Sequence, residues 1–580
     1  MDKGSKIFDL RPDPLLLDDS FEGYKLSLEP IPMYRKTIST GVHALRPDDD
    51  HFSFSHVKMF SLHNHLHVNI HRSSNVYFVD ENYKVVKVTF LPLHHQIILE
   101  EVCQLKNFIN KQKGNYNISL AFPSAETVLI GNGSGVVYLV EIKDVQGKEV
   151  WQMAHAGCLF KENNACLILD CHKELTDDIC LLHVIVSQIV EKEERLTKDT
   201  RSGLFQTILT WRTFEKDECQ LWKEKSLRKL CVDGTVDYIA LEPGCKSLHM
   251  VCDKAPKWIY DSEENIFETK TVDLPKPEKL YTWMQTEKDI TFWLNLPKCT
   301  KSDLKIIIED LKMEIKFKGN QLISGEFYQR VDSNLSVWCF EANKLEIQLV
   351  KNETGAMWQT LLMNDDRGNE VVDPGVTAAV HEKLAHLCTD KAEDSLPPFN
   401  IQQLEDCDTT CETTCLLRLD SVKHKITHEV SLSTHQWLFK IHIEPTQTAA
   451  LCFRYDIDAC VWQFKGHMED GNTWAHQHIG TFSAFGYVQA SKTQKKFLTC
   501  PPNLSYVVIC EASHHVYIYR QPSSLTSELK NRHTGKRVKT ISKQQLVNLE
   551  TNEQILGVFA TDNILYLLLE NSLCTLIINA

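Results

Sequence analysis

The sequence lacks the features that mark secreted, membrane-spanning and nucleic-acid-binding proteins. Residues 1–30 contain no basic segment followed by an apolar one, so we expect no secretory signal peptide. The longest apolar run, "ICLLHVIVSQIV" at 179–190, contains His183 and Gln188 and is shorter than the roughly 20 residues a membrane helix needs. A net charge of −14 disfavours binding to a phosphate backbone. We therefore expect a cytoplasmic and nuclear protein with no membrane insertion and no direct nucleic-acid binding.

Signatures of catalysis are also missing. The sequence has no Gly-x-Ser-x-Gly motif, no His-Glu-x-x-His motif and no protein-kinase motif set. The glycine-rich "GNGSGVVYL" at 131–139 lacks a P-loop lysine and continues as a strand, so we interpret it as a turn. We expect no enzymatic activity and no cofactor.

The sequence contains two clusters of metal-ligating residue types. His63, His65, His67 and the later His71 recur at odd positions, which predicts one face of a strand. Three imidazoles suit zinc, but no cysteine or carboxylate stands nearby at ligand spacing. The second cluster is Cys407, Cys411 and Cys415, spaced by four, with no second pair after it. We expect an ordinary strand face and reduced thiols, with metal binding as the alternative for each cluster.

Short strands separated by turns account for most of the chain. Apolar and polar residues alternate around turn residues in "NVYFVDENYKVVKVTF" (75–90), "SLAFPSAETVLIGNGSGVVYLVEI" (119–142) and "VDYIALEPGCKSLHMVCD" (236–253), and similar units return after residue 436. This spacing predicts a mainly β protein. The weak recurrence of the units predicts a β-propeller-like body of about seven blades, with a tandem of β-sandwiches as the alternative.

The chain divides into five segments. Residues 1–44 lead into the β body, 45–272 and 416–580 form its N-terminal and C-terminal parts, and 273–362 form a separate β unit inserted between blades. We expect residues 363–415 to form a helix followed by an acidic linker. Asp373-Pro374 is a good start for the helix, with Asp373 as the N-cap and Pro374 as the first helical residue. The apolar strand "LCTLIINA" ends the sequence, and an apolar edge promotes aggregation. We therefore expect it to pair with a strand from the N-terminal region.

The central unit alternates as a small two-sheet β-sandwich does. Phe292 and Leu294 share one strand face, Leu345 and Leu349 share another, and about seven short strands fit the unit. Trp293 alternates with Phe292 and Leu294, so we expect it on the opposite, exposed face.

The same unit resembles the CS domain of the NudC family. The likeness rests on a spaced set of residues: Tyr281, Trp283, Gln285, Thr286, Glu287, Leu296, Pro297, Lys301, Asp303, Gly319, Gly325, Glu326, Ser336, Trp338, Leu345, Ile347, Leu349, Lys351 and Trp358. Outside the unit, "FEGYKLSLEPIP" (21–32), "YDIDACVWQ" (455–463) and "LETNEQILG" (549–557) extend the resemblance over nearly the whole chain.

The resemblance implies a p23-like β-sandwich set into the β-propeller-like body. It also implies a non-enzymatic co-chaperone or adaptor that binds Hsp90-type chaperones and client proteins. The candidate residues for partner contact are Tyr281, Trp283, Gln285, Trp293, Trp338, Lys351 and Trp358. Tryptophan and tyrosine are favoured at binding hot spots, and Trp293 is the tryptophan expected to be exposed. The p23 branch has Trp-Pro-Arg-Leu where this chain has Trp358-Gln359-Thr360-Leu361.

Two other functions stay open. In a pure scaffold the propeller-like body would do all recognition, the CS domain would be structural and its aromatic residues would pack in the core. In an enzyme the His63–His71 face would supply the chemistry.

Overall fold

The computed structural model comprises two compact units, Met1–Ile266 with Gln402–Ala580, and Phe267–Ile401. It describes residues 6–18, 21–72, 75–109, 112–176, 179–192, 204–217, 221–264, 280–286, 288–296, 303–341, 344–355, 358, 360–363, 365, 367–370, 414–432, 435–467, 474–530, 535 and 537–579. β-strands dominate both units, which confirms the mainly β prediction. The helix predicted from Asp373-Pro374 onward lies outside the described residues.

The larger unit contains eighteen described strands before the central unit. They are β1 (Lys6–Phe8), β2 (Tyr24–Leu26), β3 (Met33–Thr37), β4 (His67–Asn69), β5 (Asn75–Val79), β6 (Lys84–Leu91), β7 (Gln96–Gln104), β8 (Ser119–Ser124), β9 (Thr127–Gly131), β10 (Val136–Val145), β11 (Lys148–Lys161), β12 (Leu167–Thr176), β13 (Ile179–Glu191), β14 (Phe205–Lys216), β15 (Trp222–Val232), β16 (Val236–Leu241), β17 (Ser247–Cys252) and β18 (Lys257–Asp261). Helix α1 (Phe54–Ser61) starts at Ser53, whose hydroxyl accepts from His56 N at 3.2 Å. Short 3₁₀ turns lie at Pro14–Leu16, Pro92–His94 and Lys106–Phe108.

The smaller unit and the rest of the larger unit follow in chain order. The smaller unit contains β19 (Tyr281–Gln285), β20 (Asp289–Asn295), β21 (Leu304–Ile308), β22 (Lys312–Phe317), β23 (Asn320–Glu326), β24 (Val331–Glu341), β25 (Lys344–Lys351) and β26 (Gly368–Glu370). The larger unit resumes with β27 (Cys415–Asp420), β28 (Lys425–Ser431), β29 (His435–Ile441), β30 (Ala450–Tyr455), β31 (Asp458–His467), β32 (Trp474–Phe482), helix α2 (Phe485–Ala490), β33 (Lys495–Thr499), β34 (Tyr506–Glu511), β35 (His515–Arg520), β36 (Ser523–Lys530), β37 (Arg537–Asn548), β38 (Ile555–Ala560), β39 (Ile564–Leu569) and β40 (Ser572–Ile577). Among the described residues, neither α1 nor α2 has the length and apolarity to cross a bilayer.

The described strands of the larger unit form seven sheets, numbered here along the chain. Their strand orders are β4-β5-β6-β7 for sheet 1, β11-β10-β9-β8 for sheet 2, β12-β13-β14-β15-β18 for sheet 3, β1-β28-β27-β17-β16 for sheet 4, β29-β30-β31-β32 for sheet 5, β2-β37-β35-β34-β33 with β36 on β37 for sheet 6, and β3-β40-β39-β38 for sheet 7. Strands in the middle of their sheets, such as β9 and β17, are buried at every residue. Burial on both faces explains the apolar run Val128–Ile130 in β9, whereas β17 also contains buried Ser247 and His249.

Consecutive sheets share apolar cores. Seven clusters of buried residues lie between sheets 1 and 2, 2 and 3, 3 and 4, 4 and 5, 5 and 6, 6 and 7, and finally 7 and 1. In the last cluster Val76 and Phe78 of sheet 1 pack with Leu568 and Leu573 of sheet 7. A backbone hydrogen bond from His65 N to Leu556 O, 3.0 Å long, lies beside the same cluster. Every sheet of the larger unit therefore packs against two others.

One cavity of about 830 Å³ touches all seven sheets. Residues of β4, β8, β12, β16, β29, β33 and β38 line it, one strand from each sheet. Each of these strands stands at one end of the strand order of its sheet, and that end of the sheet faces the cavity.

The N-terminal residues complete three sheets rather than simply leading into the body. Strand β1 pairs in parallel with β28 in sheet 4, and β2 pairs in parallel with β37 in sheet 6. Strand β3 pairs antiparallel with β40, so that Met33 lies opposite Leu576. This last pairing confirms that the apolar C-terminal strand is paired with an N-terminal one, which removes an exposed edge.

The insertion interrupts one sheet, whereas the sequence predicted an insertion between blades. Hairpin β16–β17 precedes the central unit and hairpin β27–β28 follows it, yet Ser247 of β17 pairs with Asp420 of β27. Strand β27 begins at Cys415, at the end of the segment predicted as a linker. The two hairpins each bury an apolar face, and only their pairing completes sheet 4.

The smaller unit is a two-sheet β-sandwich. Its sheets have the orders β24-β25-β20-β19-β26 and β21-β22-β23. The shared core contains Ile290, Phe292, Leu294, Met313, Ile315, Ile323, Leu345, Ile347 and Leu349, each at most 1% exposed. Strand β26 pairs in parallel with β19, so the strand pairing continues beyond residue 362.

Candidate partner-binding surface

Strand alternation decides which residues of the sandwich can meet a partner. In the five-stranded sheet, Phe292 pairs with Ile347 and Leu294 pairs with Leu345, and all four face the core. Trp293 pairs with Glu346 on the outer face. The expected separation of Trp293 from Phe292 and Leu294 is therefore present.

Four of the seven suggested contact residues are buried. Tyr281, Trp283, Lys351 and Trp358 are 2–3% exposed, and the three aromatic rings belong to the sandwich core. Their burial gives them a role in the fold, because buried aromatic side chains contribute large apolar areas. Whether any of the seven contacts a partner stays a prediction.

Gln285 ties the Trp358 region to the first strand of the sandwich. Its Nε2 donates to Trp358 O and its Oε1 accepts from Trp358 N, both at 2.8 Å. Lys351 Nζ donates to the same Oε1 at 3.0 Å and to Thr286 O at 2.9 Å. These hydrogen bonds place Trp358 in the core, where its ring lies 6.1 Å from that of Phe327. Gln285 is thus a structural connector in this conformation.

Trp293 and Trp338 lie on opposite faces of the same sheet. Trp338 pairs with Ile347 and packs, half-buried, against the core. Trp293 is half-buried on the outer face, where its Nε1 donates to Glu346 Oε2 at 2.9 Å. Lys344 Nζ lies 4.9 Å from the Trp293 ring centre, a cation–π contact. The two tryptophans therefore cannot form one patch.

Two exposed apolar residues of β24 were not singled out from the sequence, and Val337 extends the outer face. Leu335 and Val337 on β24 are 63% and 58% exposed. Val337 lies opposite Gln348, which itself pairs with Thr291 of β20. A register shift between Asp332 and Val337 interrupts the β24–β25 pairing, so simple alternation does not predict which side chains point outward here. Cys339 pairs with Glu346, which also pairs with Trp293, and we call Trp293, Val337 and Cys339 the outer-face patch.

The histidine cluster does not form the predicted strand face. Strand β4 begins at His67, so His63 and His65 lie before it and His71 lies after it. The ring centres of His63 and His65 are 4.6 Å apart, and those of His63 and His67 are 6.0 Å apart. Burial lowers the pKa of His63 to about 4 and that of His67 to about 3. These imidazoles are neutral near pH 7.

The other predicted motifs have simple local structures. Asn132 Oδ1 accepts from Ser134 N and Val136 N, both at 3.0 Å, which makes the glycine-rich stretch a hydrogen-bonded turn between β9 and β10. Cys407 and Cys411 lie outside the described residues. Cys415 Sγ contacts Glu429 Oε1 at 3.6 Å within sheet 4.

Within the described part of the chain, one group of three ligand-type side chains is close enough to share an ion. It consists of Glu174, His183 and Cys245. The members of this group are far apart along the chain and follow no spacing motif, so the sequence alone does not indicate it.

Comparison with known proteins identifies a family model for the smaller unit and relatives that cover nearly the whole chain. The CS domain family matches residues 279–351, which include β19–β25. NudC domain-containing protein 1 from Mus musculus is 33% identical over 585 residues, with 98% of each chain covered. The proteins of the same name from Xenopus tropicalis and Xenopus laevis are 32% identical over 592 residues and 33% identical over 589 residues, with 98% and 97% of each chain covered. The likeness spans both units, and the chain belongs to the NudC domain-containing protein 1 family.

Proposed function

We propose that this protein is a non-enzymatic co-chaperone or adaptor that binds an Hsp90-type chaperone and client proteins. Its CS domain would recruit one partner, and the larger β unit would present a second binding surface. Two binding surfaces on one chain raise the effective concentration of one partner near the other. We also propose that it acts in the cytoplasm and the nucleus.

The observation that carries this proposal is the outer-face patch of the sandwich. Trp293 stands on an outer face beside exposed Val337 and Cys339, while the aromatic residues of the core are fully used in packing. Half-exposed tryptophan next to exposed apolar side chains is typical of protein–protein hot spots. Such a surface supports binding rather than chemistry.

The mode of binding would differ from that implied by the p23 branch. Trp358 is 2% exposed and hydrogen-bonded through its backbone to Gln285. The chain also lacks the Pro-Arg pair that follows this tryptophan in the p23 branch. The outer-face patch, on the other hand, is accessible without any rearrangement of the sandwich.

We further propose that the seven sheets of the larger unit form a closed seven-bladed β-propeller. Two observations support closure: the cluster that joins sheet 7 to sheet 1, and the cavity lined by one strand from every sheet. In this arrangement β3 would complete the last blade, and the CS domain would be inserted within the blade formed by sheet 4. Propellers of this kind leave only short, protected edges.

The test is affinity purification of the full-length protein with mass spectrometry of the bound proteins. Trp293→Ala should lower the affinity for the chaperone by about 30-fold, as expected for a hot spot of about 2 kcal/mol. The recovery of the chaperone should fall accordingly. Thr291→Ala is the matched control, since Thr291 lies on the same strand and face but offers no aromatic surface. Equal recovery with both variants would show that the outer-face patch is not the docking surface.

The alternative is a scaffold in which the larger unit alone recognises partners. Deleting residues 267–401 and joining the ends with a flexible linker separates the two functions. The proposal expects the chaperone to be lost and other partners to stay, whereas the scaffold alternative expects every partner to stay.

A further inference from the structure

Glu174, His183 and Cys245 converge from two neighbouring sheets. Glu174 lies on β12 and His183 on β13 in sheet 3, and Cys245 lies in the turn between β16 and β17 of sheet 4. One ligand atom from each, a carboxylate oxygen, an imidazole nitrogen and the thiol sulfur, lies within 4.8 Å of the other two. His183 and Cys245 are 5% and 6% exposed, while the Glu174 side chain is 26% exposed and gives the group a route to solvent.

His183 directs an unused nitrogen into this group. Its Nε2 is buried and has no hydrogen-bond partner among the described residues. Trp211 Nε1 donates to its Nδ1 at 3.4 Å, and Thr213 Oγ1 lies 3.0 Å from the same nitrogen. Without an ion, Nδ1 therefore accepts and the ring proton is on Nε2; an ion bound at Nε2 would replace this proton, and Nδ1 would then carry the proton and donate it to Thr213 Oγ1. Metal-bound histidines are usually oriented in this way, by a hydrogen bond from the other ring nitrogen.

The spacing suits an ion better than a direct contact. Glu174 Oε2 is 3.9 Å from His183 Nε2, which is too long for a hydrogen bond. In a tetrahedral zinc site the ligand atoms are roughly 3.3–3.7 Å apart. A bound ion would therefore draw the three ligand atoms, which now lie within 4.8 Å of one another, closer together. A thiolate and a carboxylate would together balance the charge of a divalent cation, and the neutral imidazole would add no further charge.

We propose that Glu174, His183 and Cys245 form a binding site for a zinc-class divalent cation. Cysteine, histidine and glutamate all bind Zn²⁺, and three protein ligands leave a fourth position for water. The bound ion would link sheet 3 to sheet 4. The family assignment does not include such a site. The sequence-based expectation of no metal concerned other residues, the histidines from His63 to His71 and the cysteines from Cys407 to Cys415.

The site predicts a specific cobalt spectrum and a specific stabilisation. Full-length protein treated with a chelator should bind about one Co²⁺ per chain with a thiolate-to-cobalt charge-transfer band, and Zn²⁺ should displace it. Zn²⁺ should also raise the unfolding temperature of the protein, since an ion that binds only the folded state stabilises it. Cys245→Ala should abolish both effects.

Matched variants separate this site from the other cysteines of the chain. Cys252→Ala removes a thiol that is equally buried in sheet 4 but lies outside the group, and it should keep the band and the stabilisation. Glu174→Gln alters a half-exposed side chain with little change in shape and should weaken Co²⁺ binding by at least about 10-fold. Circular dichroism checks that each variant is folded. The proposal is overturned if Cys245→Ala and Glu174→Gln bind Co²⁺ with the same affinity and spectrum as the unsubstituted protein.

Discussion

Replacing Glu242 by glutamine should destabilise the larger unit, because this carboxylate joins the hairpins on the two sides of the insertion. Glu242 follows β16, and Arg418 lies on β27, 176 positions later. Arg418 Nε donates to Glu242 Oε1 at 2.7 Å and Arg418 Nη2 donates to Oε2 at 2.9 Å. His249 Nε2 lies 2.5 Å from the same Oε1. All three side chains are buried.

The pKa of Glu242 and the usual cost of breaking a buried ion pair both indicate a loss of about 3 kcal/mol. Burial alone would raise the pKa of Glu242, but hydrogen bonds and charges from His249 and Arg418 outweigh it and lower the pKa to about 2 from 4.5. A difference of this size corresponds to roughly 3 kcal/mol of folding free energy. Removing one partner of a buried ion pair typically costs about 3–5 kcal/mol, because the other charge stays buried.

The pH dependence has a definite sign. Since the pKa of Glu242 is lower in the folded state, the unfolded chain takes up a proton first as the pH falls. The contribution is therefore complete above about pH 5 and is lost as the pH falls towards 2. In Glu242→Gln this part of the acid dependence should disappear.

The assay is chemical denaturation of the full-length protein at pH 7, with hydrogen exchange of β17 and β27 to locate the change. Glu242→Gln should lower the free energy of unfolding by about 3 kcal/mol, and Glu242→Leu combined with Arg418→Met should recover most of the loss. Glu101→Gln is the control, since Glu101 and its partner Lys84 are 48% and 40% exposed and should matter by at most about 1 kcal/mol. Equal, small effects of Glu242→Gln and Glu101→Gln would show that the buried pair of Glu242 and Arg418 does not hold the two hairpins together.

Three further predictions concern other parts of the chain. Gln285→Ala should destabilise the sandwich by about 2–4 kcal/mol and speed amide exchange at Trp358, since it removes both hydrogen bonds to that backbone; unchanged exchange would contradict this. Burial lowers the pKa of His63 to about 4 and that of His476 to about 3. Between pH 7.5 and 5.5 only the unfolded chain takes up a proton at these residues, so acidification should lower the free energy of unfolding by about 1.3 kcal/mol for each. Denaturation of His476→Gln at both pH values should show a correspondingly smaller decrease. Gly133→Ala should lower the melting temperature, because Gly133 has φ +77° and a Cβ there would lie 2.0 Å from Tyr116 O; an unchanged melting temperature would count against the turn geometry.

Local patterns predicted the strands well. The predicted strand–turn–strand units at 75–90, 119–142 and 236–253 correspond to β5–β6, β8–β10 and β16–β17. Alternation also placed Trp293 opposite Phe292 and Leu294. These features depend on neighbouring residues only, so a single sequence contains the information.

Long-range relations could not be predicted in the same way. Nothing in the local pattern indicates that β17 pairs with β27 across the insertion, because the pairing depends on two distant hairpins that each bury one face. Residue type alone also does not separate Trp283 and Trp358, which are buried, from Trp293, which is half-exposed, since tryptophan is favoured both in cores and at interfaces. The group Glu174, His183 and Cys245 forms only when sheets 3 and 4 pack together.

The most direct test of the proposed co-chaperone function is calorimetric titration of a purified Hsp90-type chaperone with the purified full-length protein. We expect saturable binding that is lost when residues 267–401 are deleted, strongly weakened by Trp293→Ala and unchanged by Thr291→Ala. Absence of binding by the intact chain, or equal binding by the chain without residues 267–401, would contradict it.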